Sequence, residues 1–359
     1  MKRSSVILFG LAALVAAAAA AVVVLRGEPP RTEANLLDRP VFPDLAARLG
    51  SVATIELRRH DGTVTLTRRG EGWVIAEKHG FPARPERVRE LLVGLAELRL
   101  VEARTGNPEL FARLGLEDVT EPGGSSVLVT LSDAARAPMA ELIVGRRRIR
   151  TSGTLPESVH VRRPGESQTW LAEGTVRVDT DPMLWLDRDI LDLRRERVAR
   201  VTTRRAGFAP LTVSRRDPAA AAEVIDPAEG VSADPIRVDD LPRALEFLSF
   251  ADVRPAADLA AADPAGEARI ETFDGIAVSV RLVAAEDGRW ALFDVAWSAP
   301  ETSLPADAPE TLPRPEAARA EAERLAARLG PWAFRLPDWK ADVLTYRPED
   351  VARRDENPA

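Results

Sequence analysis

The chain has 359 residues, room for two or three domains, with 45% hydrophobic and 29% charged residues and a net charge of −7. The acidic balance argues against a general nucleic-acid binder. The lack of cysteine removes disulfides, thiolate zinc sites, a cysteine nucleophile and a lipid-modified cysteine anchor.

Lys2 and Arg3 precede Val6–Leu25, a run of 20 residues without a charge. As a helix at about 1.5 Å per residue it covers roughly 30 Å, the thickness of a hydrocarbon core. Residues 1–26 are therefore expected to be a cytoplasmic N-terminus and an uncleaved transmembrane anchor. A cleaved signal peptide is the competing reading, since Ala-x-Ala occurs in the alanine run. The apolar stretch, however, continues through Val22–Leu25 with no polar region before a cut. The Lys2–Arg3 flank places the N-terminus in the cytoplasm and the remainder outside the inner membrane. Residues 27–36 read as a polar linker.

From there the chain reads twice. LLDRPVFPDL at Leu36–Leu45 is echoed by WLDRDILDL at Trp185–Leu193. Val52–Arg59 and Thr63–Arg69 alternate apolar and polar residues across Asp61-Gly62, and Val198–Arg205 with Pro210–Arg216 repeats that pattern. Each pair predicts a half-buried β-hairpin, and Trp73–Ile75 adds a third short strand. Trp73–Arg104 then aligns without a gap on Glu223–Arg254. Eleven of its 32 positions are identical: Val74, Ile75, Gly80, Ala83, Pro85, Arg87, Val88, Leu91, Leu95, Leu98 and Arg104 against the residues 150 positions later. Unrelated stretches would share about two or three, which indicates internal duplication.

Val88, Leu91, Leu95 and Leu98 recur at helical spacing, as do Val238, Leu241, Leu245 and Leu248. Pro85 and Pro235 fit the first helical position, and Asp234 fits an N-cap. Strands are expected to leave these helices at Leu100 and Phe250. Asn107-Pro108 to Gly115 predicts a capped two-turn helix ending on glycine. Further strands are expected at Val127–Leu131, Ala140–Val144, Val159–Arg162 and Thr169–Ala172. Their second-half counterparts are Arg269–Phe273, Ala277–Val283 and Trp290–Trp297. The proline-rich 299–315 is a loop, Glu316–Leu329 a helix, and the apolar rhythm after Gly330-Pro331 a final strand; the last residues, from Arg353, look frayed. The fold class is α+β: an N-terminal transmembrane helix, then two duplicated units, 37–184 and 185–359, the second with a proline-rich insertion near 299–315. Each is a mainly antiparallel sheet covered by one main helix.

No strong catalytic constellation is found. Gly123–Ser126 is turn-like and lacks the form of a nucleophile elbow, and neither a dinucleotide fingerprint nor a phosphate loop is present. Asp179, Asp181, Asp187 and Asp189 could be drawn as an acid pair or a calcium site, but they lack the glycine-bearing loop of an EF-hand. Since Leu186-Asp187-Arg188 repeats Leu37-Asp38-Arg39, a structural junction between repeats is the better reading. His60, His79 and His160 are scattered, without metal-ligand spacing. The seven tryptophans sit mostly in strand patterns, which favours core packing over sugar stacking. Lysines are only three against 46 arginines, so Arg146–Arg148 and Arg194–Arg195 read as solvated faces of an arginine-rich chain before they read as phosphate sites. No catalytic, cofactor or metal residues are assigned.

Several elements together resemble the bacterial domain-of-unknown-function family DUF4340. They are the N-terminal anchor, VFPDL at Val41–Leu45, GEGWVI at Gly70–Ile75, and the helix sequence FPARPERVRELLVGLAEL. To these add NPELFARLGL at Asn107–Leu116 and PWAFRLPDWKADVL at Pro331–Leu344. The resemblance implies a membrane-anchored bacterial protein, associated with ABC-type transport systems similar to those of gliding motility. It carries no enzymatic residues to transfer. The expected function is a non-catalytic, inner-membrane-anchored binding or assembly subunit, with an ABC-type permease or its auxiliary subunits as partners. The alternatives are an envelope hydrolase using paired carboxylates, and a lipid- or glycan-binding module with a pocket where the repeats meet.

Overall fold

The computed structural model describes residues 38–148, 157–227, 232–300 and 312–353. The expected anchor Val6–Leu25, the linker 27–36, residues 301–311 of the proline-rich stretch and the tail beyond Arg353 lie outside the described residues. Among the described residues no helix is long and apolar enough to cross a membrane. The chain forms two compact units. One is the chain up to Ala76 with Ala83–Trp185; the other is Glu77–Pro82 with Leu186–Ala359. Both are mostly antiparallel sheet with a few helices.

In the first unit, strands β1 (Thr54–Arg59), β2 (Gly62–Arg69) and β3 (Gly72–Ile75) follow one another as hairpins. Arg59 opposite Gly62 leaves a two-residue His60-Asp61 loop. After the single turn α1 (Leu45–Arg48) and the main helix α2 (Pro85–Glu97) come β4 (Arg99–Ala103), the short α3 (Phe111–Leu114), β5 (Val127–Ser132), β6 (Pro138–Arg148), β7 (Ser158–Arg162) and β8 (Thr169–Glu173). Their order is β3-β2-β1-β5-β6-β7-β8-β4. Alternation sorts the side chains into two faces. Ile55, Leu57, Val129, Leu131, Leu142 and Val144 lie on one face by register and are buried. Helix α2 buries Val88, Leu91, Leu92 and Leu95, and its Arg87 lines a cleft with Val127 and Val144, which places it on this face. The opposite face carries Leu128 and Ile143, packed with Phe111, Leu116 and Val119 around α3. As expected, α3 ends on Gly115 in the left-handed conformation (φ 67°), and Asn107 caps the turn before it by accepting from Glu109 N–H at 3.1 Å.

The second unit has β9 (Val198–Arg204), β10 (Leu211–Ser214), β11 (Glu223–Val224), helix α4 (Pro235–Asp240), β12 (Asp252–Pro255), β13 (Gly266–Thr272), β14 (Ile276–Ala285), β15 (Gly288–Trp297), helix α5 (Pro315–Leu329), β16 (Trp332–Arg335) and helix α6 (Asp338–Val343). The strands run β11-β10-β9-β13-β14-β15-β16-β12, the same order as the eight named strands of the first, nine-stranded sheet. The segment before the hairpin also behaves alike in both. Leu100 N–H donates to Arg39 O at 3.0 Å, and Phe250 N–H to Arg188 O at 3.3 Å.

Two expectations about helices need correction. The repeated apolar stripe is buried as expected at Val238, Leu241, Leu245 and Leu248, but α4 stops at Asp240 and the chain continues as tight turns. The cause is Pro242, which has no N–H to give and crowds the carbonyl four residues back. The break leaves later carbonyls without a helical donor. Lys340, on α6, fills that role: its buried ammonium donates to Ala244 O at 3.0 Å, Glu246 O at 2.7 Å and Arg243 O at 3.3 Å. The expected final strand is only Trp332–Arg335; after Pro337 the chain turns into α6, which carries Lys340. Lys340→Met should lower the stability of this unit by about 1–3 kcal/mol, the cost of stranding buried carbonyls, read as a fall in urea midpoint. An unchanged midpoint would show that water satisfies these carbonyls equally well.

Candidate functional site

On the helix-covered face of the first unit, strand pairing sets Val161 beside Val144 and Trp170 opposite Val161. Val161 and Trp170, with Leu142 on β6 and Leu100 on β4, floor a cleft of about 560 Å³. The chain segment Arg39–Pro43 forms one wall, and the turn between β7 and β8 supplies Arg163, Glu166 and Gln168 on the other. A second hollow of about 440 Å³ shares Val41, Pro43, Arg163 and Glu166 and runs on toward Met139 and Arg48. The site is thus an apolar floor under a rim with both charge signs, a form suited to holding an amphiphilic group or a partner's side chains.

The walls are braced. Arg163 donates to Val41 O at 2.8 Å, tying the β7–β8 turn to the wall segment. Arg162, on the opposite face of the sheet, is buried with its guanidinium 4.7 Å above the Phe111 ring. It donates twice to Leu116 O, at 3.1 and 3.0 Å, and once to Glu166 O at 3.2 Å. Burial pulls its pKa below the usual arginine value, with Asp118 and Glu121 nearby acting the other way. It fixes the turn that carries Glu166 and Gln168.

The corresponding place in the second unit is filled. There β15 and β16 carry Phe293 and Phe334 on the matching face, with ring centroids 5.9 Å apart. Phe250 lies 5.2 Å and Phe81 6.1 Å from Phe334, and Trp332 lies 5.0 Å from Phe81. An open cleft in one unit and an aromatic plug in the other is the clearest chemical difference between two sheets of one topology.

The residues singled out from sequence are dispersed. Asp179 and Asp181 belong to the first unit: Asp179 pairs with Arg87, and Asp181 caps a turn by accepting from Met183 N–H at 2.9 Å. Asp187 and Asp189 belong to the second, where Asp187 accepts from Asp189 N–H at 3.4 Å. Among the described residues no group of three or more histidine, cysteine or acidic side chains could hold a metal ion. His60 lies in the β1–β2 turn, 4.0 Å from Asp61, and His79 has a positive φ of 56°. His160 sits on β7 with Nδ1 buried and unpartnered; burial, then Arg104 and Arg148, hold its pKa below the ordinary value. The Gly123–Ser126 turn is organised by Glu117, a buried carboxylate that accepts from the N–H groups of Ser125 and Ser126. Trp170, Trp185 and Trp290 are buried, whereas Trp339 is 64% exposed. None of the rim residues Arg39, Arg163, Glu166 and Gln168 carried a local signal, because they come from separate stretches that only the sheet brings together.

A model of the DUF4340 family, a domain of unknown function, matches residues 73–265, just over half of the chain. The chain belongs to this family. No curated protein matches it.

Proposed function

We propose that this DUF4340 member is a non-catalytic binding or assembly subunit of the bacterial envelope, held in the inner membrane by Val6–Leu25 with its two units outside. In this reading it serves an ABC-type export complex, with a permease or auxiliary subunit as partner. The observation that carries it is the braced cleft under Arg39–Pro43. It starts within 14 residues of the apolar run, so a chain of about 3.3–3.6 Å per residue keeps it within roughly 50 Å of a membrane holding that run. We further propose that the two units are copies of one ancestral unit. The shared strand order, the proline-led helix starts and the 11 identities support this. After such a duplication one copy can keep an open binding place while the other fills it with rings.

Affinity purification of the full chain from membranes in mild detergent is expected to recover permease or auxiliary subunits, and Arg39→Glu on the exposed rim should reduce that recovery. A clean, monomeric preparation would sink the assembly role. A reporter fused at the C-terminus should be active outside the cytoplasm; activity inside would overturn the placement.

A further inference from the structure

The first unit holds a second cleft, of about 380 Å³ and unlike the first in chemistry. Arg59, Arg87, Arg147 and Arg177 line it, with Asp179 as the one carboxylate among the described residues of its walls. Each arginine comes from a different element, and each arrives for a stated reason. Arg59 follows Ile55 and Leu57 in alternation along β1, so it shares their helix-covered face. Arg87 rides on the first turn of α2.

Arg147 reaches that face only through a β-bulge. Val144 pairs with Val161 and Arg147 with Val159, so three steps on β6 match two on β7. Without the extra residue Arg147 would point to the other face. The bulge falls at Gly145, where an ideal Cβ would stand 2.4 Å from Leu114 O and 2.6 Å from Gly115 O. The end of α3 thus forces glycine there. Arg177 lies on the extended segment after β8 that runs past Gly94 of α2.

Arg59 is satisfied by Asp61 at 2.6 and 2.7 Å, and Arg87 pairs with Asp179. The others have donors to spare. Arg147 has its nearest carboxylate, Glu157, at 4.0 Å, and Arg177 has Glu90 at 3.4 Å; neither guanidinium donates a hydrogen bond among the described residues. The Nε of Arg87 is buried without a partner. Ser125 adds an exposed hydroxyl to the wall. Each of the four cations has one carboxylate within 4.0 Å, but the pairs of Arg147 and Arg177 are long and the buried Arg87 Nε is orphaned, so the cleft holds donors to spare. At the matching end of the second sheet the space is taken: an ideal Cβ on Gly266 would meet Thr345 at 2.4 Å, and Arg237 stacks over Tyr346.

We propose that this cleft binds a phosphate or diphosphate group, with Arg147 and Arg177 as its chief ligands and Arg87 and Ser125 completing the donors. Planar guanidinium forks suit paired phosphate oxygens, and the long Arg147–Glu157 and Arg177–Glu90 pairs leave their N–H groups free to take them.

The test is calorimetric titration of the full chain, in neutral detergent at constant ionic strength, with inorganic diphosphate. Saturable binding is expected, weakened roughly tenfold or more in Arg147→Gln/Arg177→Gln and unchanged in Arg200→Gln, an exposed arginine of the second unit. The two ligand side chains are 39% and 48% exposed, so the double variant should fold, which its urea midpoint verifies. Dihexanoyl phosphatidate presents the same group on a lipid. If the double variant loses either compound the site stands, and the tighter of the two identifies a free solute or a headgroup as the source. No saturable binding of either, or equal affinity in the double variant, overturns the site. Neither outcome bears on the membrane partner proposed above, which is read by co-purification.

Discussion

Arg197→Met is expected to destabilise the second unit by about 3–5 kcal/mol, because it strands a buried carboxylate. Arg197 links two elements. Its Nη2 donates to Asp274 Oδ2 at 2.7 Å, and its Nη1 and Nη2 donate to Glu321 at 2.9 Å each. Asp274 is fully buried in the turn between β13 and β14, and Glu321 stands mid-way along α5. Burial draws the Arg197 pKa down, but Glu321 and Asp274 more than reverse that and hold it above the usual arginine value. Beside the pair, α5 sets Ala318 and Ala322, both buried against the sheet.

Removing Arg197 leaves the buried Asp274 without its cation, whereas Asp274→Asn leaves Arg197 its Glu321 partner and should cost less, about 1–3 kcal/mol. The double variant should recover part of the loss. Urea unfolding followed by circular dichroism and tryptophan fluorescence reads these differences, with each unit's transition fitted separately. A single Arg197→Met variant within about 1 kcal/mol of the parent would show that the triad does not hold α5 to the sheet.

Phe334→Ala should be comparably costly, about 3–5 kcal/mol, since it empties the centre of a ring cluster. Phe334 is 1% exposed and contacts Phe81, Phe250 and Phe293 in edge or tilted geometry. Such pairs add about 0.5–1.5 kcal/mol each beyond buried area. Phe334→Leu keeps apolar volume and loses only ring geometry, so it should cost roughly 1–2 kcal/mol. Phe293→Ala combined with Phe334→Ala should fall short of the sum of the single effects, because the rings share one contact. Additive losses would mean the rings pack independently, and a loss under about 1 kcal/mol for Phe334→Ala would mean the cavity collapses.

The core was legible where local rules decide. Alternation in Val52–Arg59 and Thr63–Arg69 placed β1 and β2, and Pro85 placed the start of α2. Asn107 and Gly115 marked the turn and short helix between them. The reading failed where one residue outweighed a pattern. Pro242 sits inside a correct apolar stripe yet ends α4, and Lys340, within the stretch that reads as a final strand, is on a helix and supplies the donor that repairs the break. The cleft rim was invisible for a different reason: Arg39, Glu166 and Gln168 share no spacing, and only pairing across β7 and β8 assembles them.

By itself the sequence determined the place of most strands and helices, the antiparallel class and the buried stripes. These follow from side-chain period, turn residues and caps, which act over a few neighbours. Tertiary structure alone decided which chemistry meets. Arg146–Arg148 reads as a solvated run, and all three are exposed. A single bulge at Gly145, imposed by the end of α3, turns Arg147 onto the face of Arg59 and Arg87. The period of a strand is two, so one added residue reverses a side chain's direction, and no local pattern announces it.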